Sequence, residues 1–193
     1  MKFLFLLMFS LSAFAVESGS PAPDFKLEGV SGKPVSLSSL KGKIVVLEWL
    51  NHGCPFVKKH YGSQNMQTLQ RKYTKEGVVW LSIISSAEGK QGYVTPGEGL
   101  KEKTEQQSVA TDVLLDSKGT VGQLYGAKTT PHMYVIAKDG TLAYQGAIDD
   151  KADTEQASVK GARNYVAEAV DSLMAGKKVS VPSTKAYGCG VKY

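Results

Sequence analysis

Ile44 to Leu50 is a nearly continuous run of β-branched and bulky apolar residues, broken only by Glu48. A run of this kind fits a strand covered on both faces. Asn51-His52-Gly53 ends it, and from Cys54 to about Lys75 the pattern turns helical. Pro55 takes a first-turn position, where a missing N–H does no harm, and Val57, Tyr61, Met66, Leu69 and Tyr73 supply apolar positions. Gly77 then closes the helix, and Val78 to Ile84 reads as a second buried strand. Strand, helix, strand in this order implies a parallel pair joined by a right-handed crossover, which restricts the chain to α/β architectures.

The flanking segments extend one sheet. Phe25-Lys26-Leu27 and Val35-Ser36-Leu37 read as short edge strands around a Ser31-Gly32-Lys33 turn. A polar helix is expected from about Glu98 to Gln107, a strand at Val113-Leu114-Leu115, and a half-turn of helix over Val121 to Tyr125. Met133 to Ala137 and Leu142 to Gly146 flank an Asp139-Gly140 turn and form a hairpin. Val159 to Met174 carries an apolar helical stripe that can cover that hairpin, and beyond Gly176 an extended tail is expected. The expected fold is α/β, a central mixed sheet flanked by helices.

With 193 residues, 42% of them hydrophobic, there is enough chain for one substantial core and little for a second domain. Residues 1–15 are read as a signal peptide: Lys2 precedes an apolar run from Phe3 to Leu11, and Ala13-Phe14-Ala15 has the small-x-small pattern of a cleavage site. That run is shorter than the ~20 residues a bilayer core demands, so membrane contact is expected only through the transient signal. The expected layout is a globular domain over 16–176 and a C-terminal tail over 177–193, in an exported, periplasmic or secreted protein. The net charge of +5, or +4 without Lys2, is scattered without a dense basic run, and no nucleic-acid partner is expected.

The chain has two cysteines, Cys54 and Cys189. A cysteine at a helix start faces unpaired backbone N–H groups and the positive end of the helix dipole, both of which favour thiolate. Cys54 has that setting and is the candidate nucleophile. Glu48, an ionisable residue inside an apolar strand, is a candidate acid or base whose pKa burial should raise. Tyr187-Gly188-Cys189-Gly190 places the second thiol in a tail whose glycines permit close approach to another backbone. Cys189 either resolves an oxidised Cys54 or staples it permanently; residue pattern alone leaves both open. His52 and His132 are candidates for tuning the thiol, and His60 is expected at the surface.

The element order, Trp49-Leu50-Asn51-His52-Gly53-Cys54-Pro55-Phe56-Val57, Thr129-Thr130-Pro131 and the lead-in Gly19-Ser20-Pro21-Ala22-Pro23-Asp24-Phe25 together resemble the thioredoxin-like superfamily. The closest likeness is to its redoxin branch, the alkyl hydroperoxide reductase and thiol-specific antioxidant (AhpC/TSA) proteins, over about residues 19 to 175. The resemblance implies a cis peptide at Thr130-Pro131, with Thr130, Pro131 and Pro55 contacting substrate, and it implies that Glu48 relays protons. It also implies that His52 and His132 approach Cys54. Two departures stand out. Val57 occupies the place of a second local cysteine, and Leu47 and Asn51 stand where a peroxidase would carry the Pro and Thr of its peroxide site.

The expected function is therefore an exported thiol-disulfide oxidoreductase using Cys54, with Cys189 either its resolver or a permanent staple. Alternatives are a thiol-dependent peroxidase, or a copper- or zinc-binding module built from Cys54, His52 and His132. No cofactor is expected. The expected partner is a protein thiol or disulfide, or a small thiol or peroxide; the oligomeric state is left open.

Overall fold

Strand β3 (Val45–Trp49) lies inside the sheet, with every residue buried. It pairs parallel with β4 (Val79–Ile84) and antiparallel with β7 (His132–Ile136). The computed structural model describes residues 16–193, so the signal-peptide reading of residues 1–15 lies outside the described residues. Around β3 run β1 (Lys26–Gly29), β2 (Pro34–Ser36), β5 (Asp112–Leu115) and β8 (Leu142–Gly146), in the sheet order β2-β1-β5-β4-β3-β7-β8. The sheet is mixed, as expected: β3, β4 and β5 are parallel, and the remaining neighbours are antiparallel.

Because strand side chains alternate, β3 feeds two cores. Val46 faces Trp80, Met133, Val135 and Tyr144 on one side, covered by helices α1 (Pro55–Gly62), α2 (Asn65–Lys75) and α5 (Tyr165–Met174). Val45, Leu47 and Trp49 face Phe25, Leu81 and Tyr134 on the other, covered partly by α4 (Thr120–Tyr125). Helix α3 (Pro96–Glu105) packs outside β5, started by a capping box between Thr95 and Glu98. Burying each large side chain contributes about 1.5–3 kcal/mol, so this doubly covered sheet supplies a rigid base for the loops at its carboxyl end.

Three expectations are corrected. The helix read over 54–75 is two helices, because Gln64 adopts a left-handed conformation (φ 62°) and the Gln67 amide takes the Tyr61 carbonyl at 3.0 Å. The helix read from Val159 begins at Tyr165: Gly161 turns the chain at φ +81°, and the Asn164 side chain caps the helix by accepting from the Ala167 N–H at 2.9 Å. Val159 ends a short 3-10 turn instead.

The third concerns the tail, which folds back onto the domain. The Thr184 hydroxyl lies 2.6 Å from that of Tyr144 and accepts from the Ala147 N–H at 3.0 Å. Strand β9 (Cys189–Gly190) then pairs antiparallel with β6 (Thr129–Thr130), and the Tyr193 hydroxyl donates to the Ala127 carbonyl at 2.6 Å. Among the described residues no helix is long and apolar enough to cross a membrane.

Candidate active site

The loop after β3 delivers Cys54 to the N-cap of α1. Asn51 shapes that loop: its carbonyl oxygen accepts from the Gly53 N–H at 2.9 Å, and its amide donates to the Gln91 carbonyl at 3.1 Å. With Pro55 at the first helical position, the thiol faces the N–H groups of Phe56 and Val57. Burial opposes the thiolate, but the Cys189 thiol and the backbone N–H groups of Val57, Cys189 and Phe56 outweigh it and hold the Cys54 pKa below its ordinary value. As a thiol, Cys54 donates to the Thr130 carbonyl at 3.0 Å.

Cys189 lies 2.7 Å, sulfur to sulfur, from Cys54. The tail reaches this position because Gly188 has a φ of +145° and lies against the Thr130 backbone; any Cβ there would collide with the Thr130 carbonyl oxygen. The Thr130-Pro131 peptide is cis. Thr130 and Pro131 are buried, and the edge beside the cis-proline, where a bound peptide was expected, carries the protein's own residues 189–190. Cys54 itself is only 1% exposed. The tail encloses it, although the polar residues at 51–53 suit a more open thiol. Cys189 is pushed up to about 11, first by burial, then by the hydrogen bond and charge of Cys54.

Glu48 lies on the same face of β3 as Val46 and is fully enclosed. Its Oε1 accepts from the Tyr61 hydroxyl at 2.9 Å, and its Oε2 from Trp80 Nε1 at 2.8 Å, the Ser82 hydroxyl at 3.1 Å and Gln70 Nε2 at 3.3 Å. Burial pushes the carboxyl above its ordinary value, only partly offset by these four donors. Among the described residues it shares no hydrogen bond with Cys54.

The histidines differ from expectation. His52 Nε2 lies 3.9 Å from Glu102, too far for a hydrogen bond, and its ring meets Tyr61 edge-on. Burial lowers His52 to about 4, so this contact is no ion pair at neutral pH, and the ring offers Cys54 no positive charge. His132 is buried on the opposite face of the sheet, with Nδ1 3.2 Å from the Tyr134 hydroxyl, and burial lowers it too to about 4. The structure does not assemble Cys54, His52 and His132 into a ligand set, and no cluster of three metal-binding side chains occurs among the described residues.

Residues 18–145 match the AhpC/TSA family. The chain belongs to that family. Curated relatives include the thiol-disulfide oxidoreductase ResA of Bacillus thuringiensis, 26% identical over 127 residues covering 66% of this chain and 68% of the relative. A putative thiol:disulfide interchange protein, DsbE, from Chlorobium tepidum is 27% identical with a TM-score of 0.56, covering 76% of this chain and 96% of the other. An uncharacterized conserved protein from Geobacillus kaustophilus is 26% identical with a TM-score of 0.76, covering 91% of this chain and 92% of the other. This AhpC/TSA chain has the thioredoxin-like fold, and its activity class is thiol-dependent oxidoreduction.

The sequence reading passed over a second polar group beside the AhpC/TSA site. His60, expected at the surface, is fully buried. Its neighbour Lys59 is buried as well, donating to the Lys151 carbonyl at 2.5 Å and pairing with Asp153 at 3.3 Å. Both surround Tyr187 of the tail. The only signal in the sequence was the regularity of α1 itself: once Cys54, Val57 and Tyr61 define its core face, His60 falls near that face.

These electrostatics yield a prediction. Cys189→Ala should raise the pKa of Cys54, seen as a shift of its iodoacetamide alkylation profile to higher pH. His52→Gln should leave the profile in place, because a neutral ring contributes no charge. A His52→Gln shift as large as that of Cys189→Ala would overturn this assignment.

Proposed function

We propose that the protein is an exported thiol-disulfide oxidoreductase in which Cys54 is the nucleophile and Cys189 the resolving thiol. The observation that carries this reading is the 2.7 Å approach of a helix-start thiol and a tail thiol. The Cys54 thiolate attacks one sulfur of a partner disulfide, forming a mixed disulfide and releasing the other partner sulfur as a thiolate, which takes a proton. The Cys189 thiolate then attacks Cys54 Sγ; the Cys54-Cys189 bond forms, the mixed disulfide breaks and the second partner sulfur leaves. Two electrons pass to the partner, and the cysteine pair is oxidised.

The shifts on the two thiols suit this order. Two of the causes that hold Cys189 up, the hydrogen bond and the charge, come from Cys54. Once Cys54 is tied to a partner, both disappear and Cys189 ionises more readily, at the step that needs it. Thr130, Pro131 and the exposed Pro55 form the partner-contacting rim, with the tail lifting from β6 to admit an extended peptide. Glu48 is the buried proton store in this scheme.

Peroxide is a secondary oxidant here. The Asn51 side chain is engaged by Gly53 and Gln91, and it leaves no hydroxyl at that position to orient a peroxide. Export to an oxidising compartment rests on the pattern of residues 2–15 and predicts a mature N-terminus near Val16.

The test is a redox titration with mass mapping of both cysteines. A reversible Cys54-Cys189 couple with a midpoint above about −300 mV supports a working pair; a lower midpoint marks a permanent staple. Rapid, saturating oxidation of Cys54 by peroxide in stopped flow would replace this reading with a peroxidase.

A further inference from the structure

Two residues before Cys189, the Tyr187 side chain enters a socket built by α1 and by the turn after β8. Its hydroxyl donates to Asp149 Oδ1, and its oxygen lies 3.0 Å from His60 Nε2. The direction of the second bond follows from chemistry: His60 Nδ1 lies 2.9 Å from the Asn65 amide nitrogen, which can only donate, so the neutral ring carries its proton on Nε2. The chain therefore runs from His60 N–H to the Tyr187 oxygen, and from the Tyr187 O–H to Asp149. The ring packs 5.7 Å from Phe56, and Lys59 Nζ lies 5.6 Å from its centre. Asp149 is buried, and its Oδ2 has no hydrogen-bond partner among the described residues.

This socket belongs to the same helix that begins at Cys54. Withdrawing the tyrosine would strip Asp149 Oδ1 of a donor and leave the His60 N–H without an acceptor inside the fold, a penalty that favours the docked tail. We infer that Tyr187, held by Asp149 and His60, is a positioning residue that fixes Cys189 at Cys54 and thereby sets how readily the internal disulfide forms. This rests on the reading of Cys189 as resolving thiol. Gly188 completes the device, since it lets the backbone between the tyrosine anchor and the thiol lie flat on Thr130.

The experiment equilibrates the full chain with glutathione buffers. One glutathione disulfide is reduced to two thiols as Cys54 and Cys189 are oxidised to their disulfide, and alkylation with mass mapping counts each form. Tyr187→Phe keeps the ring and is expected to lower the equilibrium constant about 10- to 100-fold, the size of the lost hydrogen bond to the Asp149 carboxylate, with the weaker bond from His60 lost alongside it. For a two-electron couple that is a midpoint about 30–60 mV less negative. Asp149→Asn should act in the same direction, and the double variant should lose little beyond Tyr187→Phe, because the two groups share one bond. Hydrogen-exchange protection of the buried strand β3 should be the same in Tyr187→Phe as in the unchanged chain, which a general loosening of the fold would not leave intact. A Tyr187→Phe constant equal to that of the unchanged chain overturns the inference while Cys189 remains the resolver. A chain that forms no Cys54-Cys189 disulfide at any glutathione ratio overturns both.

Discussion

Cys54→Ser is expected to abolish disulfide exchange, with turnover of a dithiothreitol-driven reductase assay falling by about 10³-fold or more, since it removes the group that bonds to substrate. Cys189→Ser should behave differently. It leaves the first attack intact and blocks the second, so the enzyme should accumulate as a mixed disulfide between Cys54 and its partner, and turnover should fall by about 10- to 100-fold as external thiol replaces the internal one. The two variants separate three roles for the pair. If Cys189 resolves Cys54, only Cys189→Ser traps a partner, and the trapped species maps to Cys54. If the pair is a permanent staple, both variants lose stability together and neither traps anything. If Cys54 works alone, Cys189→Ser turns over at the normal rate. The Cys189 thiol also helps hold the Cys54 pKa down, so at neutral pH the first attack in Cys189→Ser should be modestly slower than in the unchanged chain, and should recover as the pH rises.

The parts of this molecule that were legible in its sequence are those in which residue type and period act locally. The apolar run at 44–50, the helix start at Cys54 and the Asp139-Gly140 turn each impose a backbone geometry within a few residues, and they imply the parallel crossover and the hairpin of one mixed sheet though not its strand order. Gly188 was legible for the same reason, because a glycine beside a reactive cysteine has few other uses. What stayed hidden depends on contacts distant in sequence. Nothing in the composition of 177–193 shows that it returns to β6, because its anchors are single side chains: Thr184, Tyr187 and Tyr193 each find partners on remote elements. His60 was assigned to the surface because it lies six positions along the helix from Cys54 and faces elsewhere, whereas it is buried with partners 127 residues away at Tyr187 and five residues away at Asn65. His52 was expected to tune the thiol, and burial removes the positive charge with which it could do so. Polarity marks a residue as costly to bury; only the fold reveals whether the cost is met by a hydrogen bond.

Glu48 tests that principle most sharply. Glu48→Ala would leave Trp80 Nε1, the Ser82 and Tyr61 hydroxyls and the Gln70 amide facing a void, and is expected to destabilise the protein by about 3–5 kcal/mol. At about 2–4 °C per kcal/mol for a chain of this size, the melting temperature should drop by roughly 10 °C. Glu48→Gln keeps the shape and an acceptor oxygen, so its cost depends on pH. The folded carboxyl sits above its ordinary value of 4.5. Below pH 4.5 both folded and unfolded chains hold the proton and the group is neutral towards stability. As the pH rises past that point the unfolded chain ionises while the folded one does not, and wild-type stability declines by up to about 1.4 kcal/mol per pH unit until the folded carboxyl itself ionises. Glutamine has no such penalty. Denaturant titrations from pH 4 to pH 8 should therefore show Glu48→Gln gaining steadily on the wild type. A difference that stays flat would mean that the four donors outweigh burial and that Glu48 is ionised in the folded protein, which would also remove it as a proton store for the thiols. If the gain is seen, the exchange rate of Glu48→Gln completes the argument: a stable variant whose rate falls and loses its pH dependence places the proton of Glu48 on the path of the reaction, and one with an unchanged profile confines Glu48 to holding β3, β4 and α1 together.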